Sequence, residues 1–289
     1  MWPEALVIVA AGFAAGMINV VVGSGTLITF PILVLLGYPP LVANVSNNLG
    51  LVAGGVSGTI AYRREIAAHR NFAFALLPVS LTGGLAGAGL LLVLPSSAFK
   101  TIVPVLILMG IVLVAIGPWI QRRVAAGAAR SGTGPAPSGT TGTTAPETAG
   151  DPAGNGPASS GGWSALGGAG KRTAIVVCVF VLGLYGGYFG AAQGILMMGV
   201  LGALTSVSLG SLNAVKNLLV TAVNVMASIV FILFARDSID WLVVALITVG
   251  AGLGGILGAR IGRRLPPTLL RVIIITVGIV ALVNLLLRS

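Results

Sequence analysis

GGLAGAGLLLVLP (residues 83–95) returns as GGILGARIGRRLP (residues 254–266). The second copy begins at 254 against 83, an offset of 171 residues. The same offset carries Gly12 and Gly16 onto Gly183 and Gly187, Gly23 onto Gly194, and Pro95 onto Pro266. One matched glycine means little in a chain with 43 of them. A shared GG-x-x-GA block with its following Pro, in frame with the earlier matches, reads as one unit used twice.

Composition says what kind of unit it is. Of 289 residues, 56% are hydrophobic and 8% charged, where a soluble domain carries about 25% charged residues. Mean hydropathy is +1.05, and the apolar runs are continuous rather than alternating every second residue. That pattern predicts an all-α, polytopic integral membrane protein and argues against a β-barrel. Apolar segments fall at 4–22, 24–37, 41–62, 72–94 and 101–120, and again at 173–190, 193–206, 211–234, 240–259 and 268–287. Residues 1–124 are thus the first transmembrane repeat and 171–289 the second. Residues 125–170, built almost wholly from Gly, Ala, Pro, Ser and Thr, cannot bury enough surface to offset chain entropy and are read as a disordered linker.

Five segments per repeat is an odd number, so the two repeats should run inverted in the bilayer. The charges agree. With the N-terminus outside, RREIAAHR (63–70), QRR (121–123), KR (171–172) and ARIGRR (259–264) all fall inside, and the acidic loop ARDSID (235–240) falls outside. Arg288, outside, is a minor exception. The net charge of +10 is therefore topological first, with no nucleic-acid partner implied; an anionic substrate is the second reading. The expected location is the cell membrane, with the basic loops and the linker cytoplasmic. MWPEALVIVAAGF has no basic stretch, so no cleavable signal peptide is expected. Cys178 is the only cysteine; it excludes an internal disulfide and reads as packing.

The second segment of each half is short and interrupted by glycine, in NVVVGSGTLITFP (19–31) and GAAQGILMMG (190–199). A span needs about 20 residues, so a broken or re-entrant hairpin is expected to open each repeat. Paired breaks in inverted halves point to a transporter site. At the first, Gly23 and Gly25 would free the backbone N–H groups of Ser24, Gly25, Thr26 and Leu27, an anion site made from a helix N-terminus. Gln193 and Gly194 would do the same at the second. Close helix packing is the plainer reading of these glycines.

Two polar stripes follow the breaks. Asn44, Asn47 and Asn48 lie at i, i+3 and i+4 with Ser46 beside them; Asn213, Lys216 and Asn217 repeat the spacing, extended by Thr221 and Asn224. At the offset of 171 the two triplets are two residues out of register. Asparagines in a membrane helix can simply bond neighbouring helices. Lys216 is the sharpest residue. It could snorkel, but an ionisable group inside a span is by default a functional candidate. Every Asp and Glu lies at a segment end, in a loop or in the linker, so a bound anion is its natural partner. His69 sits in a basic loop, and no proton relay is visible. Gly250, Gly254, Gly258 and Gly262, with Gly83 and Gly87, mark helix faces for tight internal packing or a homodimer seam. No phosphate loop, metal-ligand cluster or catalytic set appears, so no enzyme activity, cofactor or metal is expected.

With GFAAGMINVVVGSGTLITFPILVLLGYPPLVANVSNN (12–48), the GG-x-x-GA blocks and NAVKNLL (213–219), the sequence resembles the sulfite exporter TauE/SafE family over nearly all of the chain except the linker. The resemblance implies a duplicated membrane transporter for small anions, associated with sulfite, sulfonates and related sulfur compounds, commonly in export. Members often carry a Lys after Ser/Thr-Asn in the first half. Here Asn48 stands at that place, and the similar Lys of the second half is Lys216.

The expected substrate-binding residues are thus Asn19, Gly23, Ser24, Gly25, Thr26, Asn44, Ser46, Asn47, Asn48, Gln193, Gly194, Asn213, Lys216 and Asn217. They would serve an alternating-access exporter; an anion channel with the same lining, or a scaffold without transport, are the alternatives.

Overall fold

The computed structural model describes residues 2–130, 168–205, 207–261 and 267–288. Ten apolar helices match the ten expected segments: α1 (Trp2–Val21), α2 (Thr26–Leu35), α3 (Pro40–Ala61), α5 (Arg70–Val93) and α6 (Ser96–Arg130), then α7 (Ala169–Tyr188), α8 (Gln193–Leu204), α9 (Leu209–Phe234), α10 (Trp241–Ile261) and α11 (Pro267–Arg288). A short helix, α4 (Arg63–Ala68), occupies the basic loop between α3 and α5, and a 3₁₀ turn, Arg236–Ser238, leads into α10. Among the described residues there is no strand. The expected linker begins later than its composition implied: α6 continues through 125–130, and α7 starts at Ala169. Its residues 131–167 lie outside the described ones.

Helices α1, α5, α7, α9 and α10 are each long and apolar enough to cross a bilayer. Their outer faces carry bare apolar side chains, among them Val93 at 84% exposure, Phe234, Val181, Leu242 and Val249. Water would penalise so much contiguous apolar surface; lipid does not. The chain is a multi-pass membrane protein.

α2 and α8, of 10 and 12 residues, are roughly 15 and 18 Å long at 1.5 Å per residue, about half the hydrocarbon core. α2 folds back along α1: the Tyr38 hydroxyl, just past its end, donates to the Glu4 carboxylate near the start of α1 at 3.2 Å. Burial, then Glu4, pushes the Tyr38 phenol up to about 12.

The first helix of each half packs most extensively on the fourth apolar helix of the other, α1 on α10 and α7 on α5. The repeated glycines make both crossings. A Cβ on Gly16 would stand 2.6 Å from Ala251 Cα, and one on Gly254 2.0 Å from the Phe13 carbonyl oxygen. Gly87 and Gly183 do the same between α5 and α7. These faces are therefore spent inside the chain. Internal packing occupies Gly83, Gly87, Gly250, Gly254 and Gly258; Gly262 lies outside the described residues.

Candidate functional site

The two breaks meet. Gly23 takes a φ of +87°, which turns the chain between α1 and α2. Its carbonyl accepts the Gly194 N–H at 3.0 Å, and a Cβ on Gly23 would lie 2.5 Å from Gly194 Cα. Only two glycines allow this approach. The second break turns through Gly190 (φ +75°) and Ala192 (φ +59°). For an alanine that left-handed backbone costs roughly 1–2 kcal/mol, strain of a kind that gathers at functional sites.

Just past Gly23, α2 starts in the protein interior. Ser24, Gly25 and Thr26 are all buried, no side chain caps the helix, and the N–H groups of these three residues donate to no backbone carbonyl. Leu27, expected to share in this set, instead donates to the Ser24 carbonyl at 3.2 Å. Three uncapped donors at the positive end of a buried helix are an anion-binding arrangement. Around them stand the Ser24 hydroxyl, which has no partner among the described residues, and a cluster from α2 and α3. In that cluster Asn47 Nδ2 donates to Thr26 Oγ1 at 3.4 Å, and the Thr29 hydroxyl donates to Asn47 Oδ1.

The second break is not equivalent. Gln193 N–H turns back to the Gly190 carbonyl at 3.4 Å, and the Gly194 N–H is spent on Gly23. The matching backbone donors expected in the second half are therefore both engaged: the local turn takes the Gln193 N–H and the crossing takes that of Gly194. What Gln193 does offer is its side-chain oxygen. Nε2 donates to the Leu182 carbonyl at 3.0 Å, while buried Oε1 has no partner.

Lys216 is fully buried, at 0% exposure. Nζ points at the last turn of α1, 3.5 Å from the Asn19 carbonyl and 3.4 Å from that of Val20. Asn217 Nδ2 joins it on Val20 at 3.3 Å. Nζ thus sits on the negative end of α1, a place that favours positive charge. Asn44 Nδ2 does the mirrored job in the first stripe, donating to the carbonyl of Tyr188, the last residue of α7, at 3.0 Å. Each stripe therefore holds the end of the other half's first helix, one through a lysine Nζ and one through an asparagine amide. Lys216 is close to the break all the same: a Cβ on Gly25 would lie 3.0 Å from Asn19 Cβ, and Lys216 approaches the carbonyl of that same Asn19.

Other expected residues are engaged elsewhere. Ser46 Oγ accepts from the Asp240 N–H at 2.9 Å, at the start of α10, where Asp240 Oδ1 in turn accepts from Leu242 and Val243. That bond engages Ser46 at the start of α10. Asn48 Oδ1 accepts from Ser228 on α9 at 3.1 Å, the helix-joining role open to any buried asparagine. Asn213 is half-buried, one turn before Lys216. Thr29 was missed in the sequence. Its signal is the i, i+3 spacing from Thr26, which puts it above the break on the same face of α2. Tyr188, not singled out in the sequence, has a buried hydroxyl without a partner among the described residues, and its ring stands edge-on to Phe99 at 5.8 Å. Among the described residues no group of three or more His, Cys, Asp or Glu gathers.

Comparison with known proteins adds the family. The model of the sulfite exporter TauE/SafE family matches residues 8–285. A "probable membrane transporter protein ORF9" from Sinorhizobium sp is 32% identical over 98 residues, 34% of this chain and 38% of that protein. A "probable membrane transporter protein" from Haemophilus influenzae is 34% identical over 103 residues, 35% of this chain and 40% of that one. The matched region spans about two fifths of each of these relatives. No solved structure matches.

Proposed function

The chain belongs to the sulfite exporter TauE/SafE family, and on that premise we propose that it is a membrane transporter of small oxyanions, such as sulfite, sulfonates and related organosulfur compounds, working as an exporter. The observation that carries this reading is the buried start of α2, with three N–H groups and no cap. A buried helix N-terminus whose N–H groups lack protein partners is suited to hold an anion. The substrate's oxygens would take the N–H groups of Ser24, Gly25 and Thr26. Thr29 and Asn47 would hold the hydroxyl and amide wall, and Lys216 would supply positive charge from the end of α1.

The two repeats would run inverted, with the N-terminus outside and the basic loops in the cytoplasm. Alternating access would rock one repeat against the other about the Gly23–Gly194 crossing. Export needs no intramembrane carboxylate: an anion leaving a cell that is negative inside gains about 2.3 kcal/mol per charge per 100 mV.

Purified protein in vesicles loaded with labelled sulfite tests this. Efflux should be saturable, faster with a potential negative inside, and accelerated by sulfite on the opposite side. Flux without trans acceleration, too fast for a conformational cycle, would replace the carrier with a channel. No flux and no binding of any oxyanion would end the reading.

A further inference from the structure

We infer that the site prefers an oxyanion that still carries one hydrogen-bond donor, a monoprotonated oxyanion above all, over one that can only accept. The inference rests on the anion site proposed at the start of α2 and names the chemistry of its occupant.

It starts from two buried atoms. Ser24 and Gln193 are each 1% exposed, and Ser24 Oγ and Gln193 Oε1 have no hydrogen-bond partner among the described residues. A buried polar atom without a partner costs free energy and calls for an explanation. Both residues adjoin the crossing: Ser24 follows Gly23, and Gln193 precedes Gly194. One comes from each half of the chain.

Their polarities differ. The Ser24 hydroxyl can donate, as can the three N–H groups beside it. Gln193 Oε1 can only accept. Its direction is chemically fixed, because the Leu182 carbonyl opposite Nε2 is itself only an acceptor. Turning the carboxamide over would set oxygen against oxygen. Gly186 adds a steric reason: a Cβ there would stand 2.3 Å from Gln193 Cδ, Nε2 and Oε1, so the amide lies against bare backbone of α7. The crossing therefore presents several donors and one dedicated acceptor. A fully deprotonated sulfonate or sulfate satisfies the donors and sets a further oxygen lone pair against Oε1. An oxyanion with one O–H satisfies all of them. Sites built with a buried hydrogen-bonding group discriminate steeply against ligands that leave it unpaired.

A matched pair of probes isolates the one proton. Methylphosphonate, at a pH between its two ionisations, is a tetrahedral monoanion with one P–OH; methanesulfonate has nearly the same shape and charge and no donor. Full-length protein in detergent would be titrated with each, reading the shift in unfolding temperature. Methylphosphonate should bind at least about tenfold more tightly, the size expected when one buried acceptor gains a donor. Gln193→Leu should bring the two affinities together while methanesulfonate binding persists, and Ser24→Ala should weaken both. Equal affinities in the wild type would overturn the inference and leave the anion site standing. Discrimination that survives Gln193→Leu would remove Gln193 from the role. If neither probe binds, nor any other oxyanion, the anion site fails and takes the inference with it. The wild-type comparison decides even where Gln193→Leu does not fold.

Discussion

The Gly194 N–H donates to the Gly23 carbonyl at 3.0 Å, joining the two halves of the chain at the point where each is interrupted. Gly23→Ala should be the most damaging small substitution at the crossing. It adds left-handed strain of roughly 1–2 kcal/mol to a contact of 2.5 Å with Gly194 Cα. Gly37 is the control, because it has φ +97° and nothing within 4 Å of an added Cβ. Gly37→Ala should lose only the strain. Unfolding temperatures in detergent compare the two, and equal losses would mean that the crossing is not a tight contact.

The glycines of the helix crossings make a similar pair. Gly87→Ala puts a methyl group 1.9 Å from the Leu184 carbonyl oxygen and should force α5 and α7 apart, with a loss of more than about 3 kcal/mol or a failure to fold. Gly89, in the same helix, has open space. Gly89→Ala should be tolerated and could gain up to about 1 kcal/mol of helix propensity. Thermal unfolding of both variants checks the order.

Lys216→Met keeps most of the buried volume and removes the charge. The protein should still fold, since an apolar side chain avoids the desolvation cost of a buried cation. Stabilisation by oxyanions should fall by at least about tenfold in affinity. Unchanged oxyanion binding would confine Lys216 to holding the end of α1.

Asn47→Asp should abolish oxyanion binding by a different route. A carboxylate beside Thr26 and Thr29 would set its negative charge against any anion at the start of α2, and two such charges do not share one site. The variant should also lose transport. An oxyanion response equal to wild type would move the site away from α2.

Thr29→Val is nearly isosteric and deletes the hydroxyl that reaches Asn47 Oδ1 and the Gly25 carbonyl. Asn47 would lose its brace, so oxyanion affinity should weaken about three- to tenfold, with a stability loss near 1 kcal/mol. Isothermal titration and unfolding measured side by side separate the two effects.

The sequence by itself determined the helices and their class. Ten apolar runs became ten helices, all within a few residues except α6, which runs ten residues past the expected end at 120, because a bilayer leaves the backbone no other way to satisfy its polar groups at that length. It also marked the breaks, through Gly23 and Gly194 at one offset, and it picked out Lys216, an ionisable residue that the fold buries fully. What it could not give was direction. An asparagine reads the same whether it faces a substrate, a helix end or another helix. Only packing sent Asn44 to Tyr188, Asn48 to Ser228 and Ser46 to Asp240, and Lys216 to the last turn of α1. The two breaks looked equivalent in sequence. Tertiary structure made them unequal, because the hydrogen bond that joins them uses the N–H of Gly194 and the carbonyl of Gly23, while the turn before α8 takes the Gln193 N–H onto Gly190. The donors of α2 stay free, and those of Gln193 and Gly194 do not.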